Sequence, residues 1–346
     1  MKFRNTFFLF SSIFILVLNT GEAARKPHKI KHPLTRSIEI VETEITPVEE
    51  VSSLPPPSNA EHFVTVCSEG NQIGGQLTTY AVILGYAWAN GLTPVFPKEA
   101  LLQRPGGEIN YKYLLHRLPQ EFPGDSTKAS ARHFYGYPES TPLGYNGGDV
   151  CICNMPNYPL PFYNRFRKQI RALFGPSEEV IEELRVKYAS VIDHPKTVAV
   201  HIRAYDPRTV PHQCLGKAYF EKVMNYFSDD HLFVIFSDRI DWCKDHIDVT
   251  NKNAVFIEGN PHILDLYLMS LCKNIITANS MFSWWAAYLK KNPTGLILVP
   301  EKWFPNERPA YRSTFYPSHY ITVPVDSIPL SDSSLLDYDT RSLGDI

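Results

Sequence analysis

The sequence is short of four things: net charge, paired cysteines, a membrane-length apolar run and a phosphate-binding glycine motif. Lys and Arg number 34 against 36 Asp and Glu, a net charge of -2, so the chain lacks the basic footprint of a nucleic-acid binder. The six cysteines stand at 67, 151, 153, 214, 243 and 272, and none forms a C-x-x-C pair. Cys151 and Cys153 make an isolated C-x-C without a second pair, which argues against a zinc site. An even count permits disulfides in an exported chain but leaves their connectivity open; Cys272, inside an apolar stretch, reads as a buried thiol. No G-x-x-x-x-G-K-[ST] occurs, which excludes a P-loop, and the N-terminal glycines lack the G-x-G-x-x-G spacing. There is also no N-x-S/T sequon, which argues against a glycosylated luminal protein and leaves a bacterial envelope open.

What is there is ample core material, 44% hydrophobic over 346 residues, enough for two lobes. The chain carries 19 Tyr, 20 Phe and 5 Trp. Most of these rings serve packing, and some can stack on sugar faces. Lys2 and Arg4 precede an uncharged stretch from Thr6 to Gly21, and Gly21-Glu22-Ala23 offers small residues for cleavage. Its apolar part, Phe7 to Leu18, is shorter than the ~20 residues of a spanning helix. Residues 1–24 therefore read as a signal peptide or a signal anchor. Residues 25–60, turning from basic to acidic and ending in Pro55-Pro56-Pro57, read as a stem or linker. An N-terminal lobe is expected over 61–190, a C-terminal lobe over 191–326 and a polar tail over 327–346.

The periodicity is α/β. Phe63–Val66 reads as a strand, followed by the glycine-rich turn Gly70-Asn71-Gln72-Ile73-Gly74-Gly75 and a helix that Gly91 stops. Thr93–Phe96 starts another extended segment, and residues 100–165 carry no readable pattern. Beyond them, apolar runs at 197–202, 232–236, 254–257, 274–278 and 296–299 alternate with helical segments near 216–227, 242–247, 263–273 and 282–290. Short continuous apolar runs between helices predict parallel strands buried on both faces, hence a doubly wound sheet.

Chemistry collects after these strands. His201-Ile202-Arg203-Ala204-Tyr205-Asp206 follows the first, Ser237-Asp238 the second, Glu258-Gly259-Asn260 the third, and Asn279-Ser280-Met281-Phe282-Ser283-Trp284-Trp285 the fourth. Ligands of open parallel sheets bind outside the carboxyl ends of the strands. Asp238 and Ser280 have the plain alternative of capping helices. Arg203 offers a guanidinium fork for phosphate oxygens, and the helix after Asn279 offers free N–H groups to the same anion.

Phe236-Ser237-Asp238, Asp241-Trp242-Cys243, Asp265-Leu266-Tyr267-Leu268-Met269-Ser270 and the block from Asn279 to Ala287 occur in the order of the α-1,2-fucosyltransferases, glycosyltransferase family 11. The His201-Ile-Arg203 segment resembles that family's H-x-R-R-G-D-Y motif, and Gly70-Asn71-Gln72 resembles its G-N-Q element. The resemblance implies a GT-B-like architecture of two Rossmann-like lobes with doubly wound parallel sheets. It also implies GDP-fucose as donor, a galactose-type glycan hydroxyl as acceptor, inversion at the anomeric carbon and no metal. Arg203 would hold the donor β-phosphate and stabilise the leaving group. Asn71, His201, Asp238, Asp265, Asn279, Ser280 and Phe282 would line the donor pocket. Asp206 is the nearest carboxylate for a catalytic base, with His201 as a base or as a residue that orients the loop. The only D-x-D, Asp337-Tyr338-Asp339, lies in the polar tail. A fucosyltransferase with a stem implies a secretory, Golgi type II setting or export, with membrane association through the N-terminal segment.

The sequence departs from the family pattern at Ala204, where a second arginine is usual, and at Pro207, where an aromatic is. It departs again at Cys67-Ser68-Glu69, in place of G-R-L, and at Met281, in place of a small polar residue. These departures keep a second reading open: a non-catalytic glycan- or nucleotide-binding protein on the same scaffold.

Overall fold

A computed structural model of the chain describes residues 12–16, 40–44, 61–66, 71–121, 130–133, 145, 147–153, 164–203, 214–304 and 316–325. The chain divides into two units, Met1–Ser52 and Ser53–Ile346. In the first, strands β1 (Ser12–Leu16) and β2 (Ile40–Glu44) pair antiparallel, Ser12 opposite Glu44 and Leu16 opposite Ile40. β1 falls inside the apolar stretch read as a targeting segment and β2 inside the expected stem. Among the described residues no helix is long and apolar enough to cross a membrane.

The second unit holds two parallel sheets. β3 (Phe63–Val66), β4 (Thr93–Val95), β5 (Ser130–His133) and β6 (Val150–Cys153) lie in the order β4-β3-β6-β5. β7 (Thr197–Ile202), β8 (Leu232–Ser237), β9 (Asn253–Phe256), β10 (Asn274–Ile276), β11 (Ile297–Pro300) and β12 (Ile321–Val323) lie in the order β12-β11-β10-β7-β8-β9. Every pairing within these sheets is parallel. In the second sheet the chain winds outward from β7 to β9, then returns to the other side of β7 with β10. The strand order therefore reverses between β7 and β10, and the corresponding reversal in the first sheet lies between β3 and β6.

Twelve of the elements were legible as strands or helices from the sequence pattern, with ends shifted by a few residues. β5, β6 and β12 were not: Cys, Ser, Arg and His break the apolar signal in the first two, and β12 is three residues long. The helix Glu178–Ile192 is likewise an addition, capped by Ser177, whose hydroxyl accepts from Val180 N.

Helix α1 (Ile73–Asn90) joins the two sheets into one core. It is apolar on all sides and buried over nearly its whole length, the pattern of a helix covered on every face. Gly91, at φ +68°, ends it in the left-handed conformation, as glycine allows without a Cβ clash. The short helices α2 (Lys98–Leu102) and α3 (Gly107–Tyr113) follow. Then come α4 (Arg167–Phe174) and α5 (Glu178–Ile192). The second sheet adds α6 (Lys217–Met224), α7 (Ile240–His246), α8 (His262–Leu271) and α9 (Met281–Leu289). α1 packs on β3 and β4 on one side and on α9 and α4 on the other. The C-terminus of α9 leaves carbonyls that its own turns cannot bond. The Arg171 guanidinium from α4 donates to Tyr288 O and, at 2.7 Å, to Lys290 O.

Candidate functional site at the facing sheet edges

Arg203 follows β7 and Asn279–Ser280 follow β10, so the reversal of strand order brings them to the two sides of one crevice. Ligands of doubly wound sheets sit at this position because neighbouring connections leave in opposite directions and open a gap. Ser280 caps α9, its hydroxyl accepting from Phe282 N at 3.3 Å. Asn279 is buried beside it. The capping alternative for Ser280 is thus realised. The remaining N–H groups of the α9 first turn still present the positive end of a nine-residue helix.

Arg203 forms an ion pair with Asp238, which follows β8. Both side chains are partly exposed, at 38% and 26%, so the pair sits at the mouth of the crevice. Asp238 holds the guanidinium fork in place on one side. Its neighbour Ser237 supplies the local cap, its hydroxyl accepting from Arg239 N at 3.0 Å.

His201, near the end of β7, is buried, and its ring lies against Phe282 with centroids 5.3 Å apart. Phe282 in turn meets His262 edge-on at 6.3 Å. Burial, reinforced by the Arg203 charge, pushes the His201 imidazole down to about 3. His201 Nδ1 has no hydrogen-bond partner among the described residues. A neutral, enclosed imidazole of this kind is a weak proton acceptor; it packs the floor of the crevice.

The first turn of α1 reaches the same place from the other sheet. A Cβ on Gly74 would stand 2.6 Å from Phe282 N and 2.8 Å from Met281 C. The two helices therefore meet backbone to backbone at their N-termini, and only glycine fits between them. Asn71, just before α1, folds its side chain against Gly75 and accepts from Gln76 Nε2 at 2.8 Å through its carbonyl. Two positive helix ends and a guanidinium thus converge where the lobes touch, an arrangement suited to a multiply charged phosphate.

Asp265 lies in the first turn of α8. Burial raises its carboxyl to about 6, against the opposing effect of a hydrogen bond from Asn260 and the charge of Lys187. Asp206, Ala204, Pro207, Cys67 and Gly70 lie outside the described residues. Of the residues singled out by sequence, the structure joins Arg203 to Asp238 and His201 to Phe282. It puts Asn71 at the start of the helix that abuts Phe282. It leaves Asp265 in a separate polar network with Asn260. Sequence reasoning missed Gly74 as the lobe contact; the only available signal was a glycine pair in the first turn of a helix, where glycine weakens helix formation and needs a packing reason.

Among the described residues no cluster of His, Cys, Asp and Glu can hold a metal, and Asp337 and Asp339 lie outside them. Cys151 is disulfide-bonded, while Cys243 and Cys272 are buried thiols pushed up to about 11 and about 12 by burial. A hollow of about 430 Å³ lies between α3 and α5, lined by Lys112, Tyr113, His116, Arg117 and Glu183 among others. None of the strand-end residues borders it.

A guanidinium and helix N-termini at the switch point of a doubly wound sheet are the arrangement with which α/β proteins bind nucleotide phosphates. The profile of Glycosyl transferase family 11 matches residues 144–321, more than half of the chain, and the chain belongs to that family. It is 31% identical over 157 residues to an alpha-1,2-colitosyltransferase of Escherichia coli, a match covering 42% of this chain and 53% of that protein. It is 30% identical over 153 residues to the O-antigen biosynthesis glycosyltransferase WbnK of Escherichia coli, covering 40% and 50%. The chain thus spans about half the length of these bacterial relatives. It is 27% identical over 273 residues to galactoside alpha-(1,2)-fucosyltransferase 1 of Aotus azarae, covering 72% of each. Solved structures with similarity include fucosyltransferase NodZ from Bradyrhizobium, at 12% identity and TM-score 0.44, covering 65% of this chain and 93% of that one. POFUT1 in complex with GDP-fucose matches at 13% identity and TM-score 0.44, covering 70% and 98%.

Proposed function

We propose that this chain transfers fucose, or a closely related deoxysugar, from a GDP-linked donor to a galactose-type hydroxyl of a glycan, with inversion and without a metal. The observation that carries the reading is the placement of Arg203 and the α9 N-terminus on the two sides of the β7/β10 crevice. Departure of the nucleotide puts negative charge on the pyrophosphate. Arg203 and the helix N–H groups are in place before that charge develops, so little reorganisation is needed during the reaction. Asp238 orients Arg203. His201 and Phe282 form the floor, and Asn71, Asn279 and Ser280 line the phosphate end. Asp265 lines the base end: a carboxylate accepts only, and guanine presents two adjacent N–H donors on one edge.

The acceptor hydroxyl attacks the face opposite the leaving group and must lose a proton. With His201 neutral and enclosed, Asp206, three residues beyond Arg203, is the base we assign. Similarity to an alpha-1,2-colitosyltransferase and to a galactoside alpha-(1,2)-fucosyltransferase supports a deoxysugar donor and a galactoside-type acceptor. Their bacterial and mammalian sources support either an envelope or a Golgi setting, and we place the apolar stretch Phe7–Leu18 as the targeting or membrane-associating segment.

The test is calorimetry of GDP and GDP-fucose with the full chain, with Arg203→Ala as control. Micromolar binding that the substitution removes supports the donor site. Absence of binding to either nucleotide sinks the GDP-fucose assignment and favours the non-catalytic glycan-binding alternative, which Ala204 and Met281 keep in view.

A further inference from the structure

Asp265 does not stand alone. Asn260, in the turn after β9, donates from its amide nitrogen to Asp265 Oδ1 at 2.8 Å and to the Tyr188 hydroxyl at 2.7 Å. Its own carbonyl oxygen accepts from Lys187 Nζ at 2.7 Å. All three polar functions of the amide are therefore engaged: two N–H groups and the oxygen. Gly259, at φ +72°, gives the turn the left-handed residue that swings Asn260 toward α5 and α8. The same Lys187 Nζ also donates to Glu258 O at 3.5 Å and lies over the Tyr188 ring at 5.0 Å.

The partner side of the network carries an irregularity. Tyr188 sits within α5 at φ −126°, ψ 31°, outside helical geometry, so the helix is kinked at the residue that binds Asn260. Asn260 bonds the Tyr188 hydroxyl and Lys187 Nζ bonds Asn260, so both residues at the kink reach the turn after β9. The kink and the carboxylate orientation are consequently parts of one arrangement, drawn from α5, the β9 turn and α8.

We propose that Asn260 is a positioning residue for the donor site, clamping Asp265 through Oδ1 so that the carboxylate keeps one orientation toward the nucleotide base, with Tyr188 and Lys187 holding the clamp from the kinked helix. The inference rests on the assignment of Asp265 to the base end of the donor pocket. An amide N–H donated to a carboxylate favours its ionised form, as does the nearby ammonium of Lys187. These two groups act against the burial that raises Asp265. The Tyr188 hydroxyl, on the third element of the network, accepts from Asn260. Removing Asn260 leaves burial less opposed, so the carboxyl keeps its proton to a higher pH and ceases to accept from a base N–H.

The experiment is GDP calorimetry on the full chain between pH 5 and pH 8, assay conditions chosen to bracket the Asp265 value of about 6, for wild type, Asn260→Ala, Asn260→Asp, Tyr188→Phe and Asp265→Asn. Wild-type affinity falls as pH drops through the ionisation of Asp265. In Asn260→Ala that fall moves to higher pH, with affinity at pH 7 lower by about tenfold, the scale of one hydrogen bond to a charged group. Asn260→Asp sets a second carboxylate against Asp265 and shifts the fall further in the same direction. Tyr188→Phe keeps the ring and loses only the hydroxyl; it moves the fall the same way by less, and guards against misfolding of the Asn260 variants. Should Asp265→Asn abolish GDP binding while both Asn260→Ala and Tyr188→Phe keep the wild-type pH profile, the positioning role is overturned and the donor assignment stands. Unchanged binding in Asp265→Asn overturns both. A lowered melting temperature in Asn260→Ala with an unmoved pH profile marks a purely structural residue and also overturns the proposal.

Discussion

The indole N–H of Trp285 donates to the Thr78 hydroxyl at 3.0 Å, with both side chains buried, and Thr78 passes the bond on to Gly74 O at 3.0 Å. Trp285 belongs to α9 and Thr78 to α1, so this relay pins the helix that covers the first sheet to the helix that follows β10 in the second. Trp285 also meets Phe174 edge-on at 5.4 Å and Tyr288 at 5.1 Å.

Trp285→Phe removes the donor and leaves a void in this aromatic stack. Stability should drop by about 2–4 kcal/mol, the scale of a buried truncation plus a lost hydrogen bond. In a double-mutant cycle with Thr78→Val, measured by urea unfolding, the coupling should be about 1 kcal/mol. Additive effects would show that the bond contributes nothing of its own.

Gly74→Ala and Gly91→Ala should separate packing from backbone strain. At Gly74 the added Cβ meets the backbone of Met281 and Phe282, which cannot rotate away, so stability falls by about 1–3 kcal/mol and the helix N-termini part. Donor affinity should fall with it. At Gly91 the new methyl meets open space but strains a φ of +68°, costing about 1 kcal/mol and leaving donor affinity intact. Equal affinities in the two variants would refute the contact between the helix ends as a determinant of the site.

Arg203→Lys tests the fork against the charge. Lysine keeps the cation but cannot pair with two oxygens or hold Asp238 side by side. Turnover of GDP-fucose should fall by about tenfold or more in Arg203→Lys and by about 10²–10³-fold in Arg203→Ala. Wild-type rates in the lysine variant would mean that charge alone is used.

Stability against pH carries two opposing slopes. His201, depressed to about 3, binds its proton more readily in the unfolded chain, so the native state loses stability as pH falls from about 6.5 toward 3. Asp265, raised to about 6, binds its proton more readily in the native state. Its contribution is therefore present below the unfolded value of about 4 and is lost as pH rises through 6. Between roughly pH 4 and pH 6 the slopes offset one another and the unfolding free energy should change little on their account. His201→Asn should expose a stability that declines with rising pH over this window, and Asp265→Asn one that increases. Chemical denaturation at half-unit pH steps reads both; parallel profiles for the two variants would contradict the opposed shifts.

The second sheet was legible in the sequence because each of its strands β7, β8, β9, β10 and β11 is a short apolar run followed by a polar cluster. A parallel strand covered on both faces admits little else. The polar residues Arg203, Asp238 and the Asn279–Trp285 block stand out for the same reason, since each follows one of these strands, whereas Asp265 is picked out by the family resemblance. Tyr188 could not be found this way: it lies in a helix with no polar motif, and its hydroxyl meets Asn260 72 residues away in the chain. Gly74 and Thr78 read as ordinary residues of a buried helix, and their partners are some two hundred residues away in the chain.

By itself, then, the sequence determined the alternation of strand and helix, the parallel sense of the second sheet and the family. Each of these follows from local apolar period or from residues close together in the chain. Tertiary structure alone decided which helix ends meet, that His201 is enclosed and neutral, and that Asp265 is held from a second helix. These depend on contacts between distant segments, and on desolvation that exists only once the two sheets close over α1.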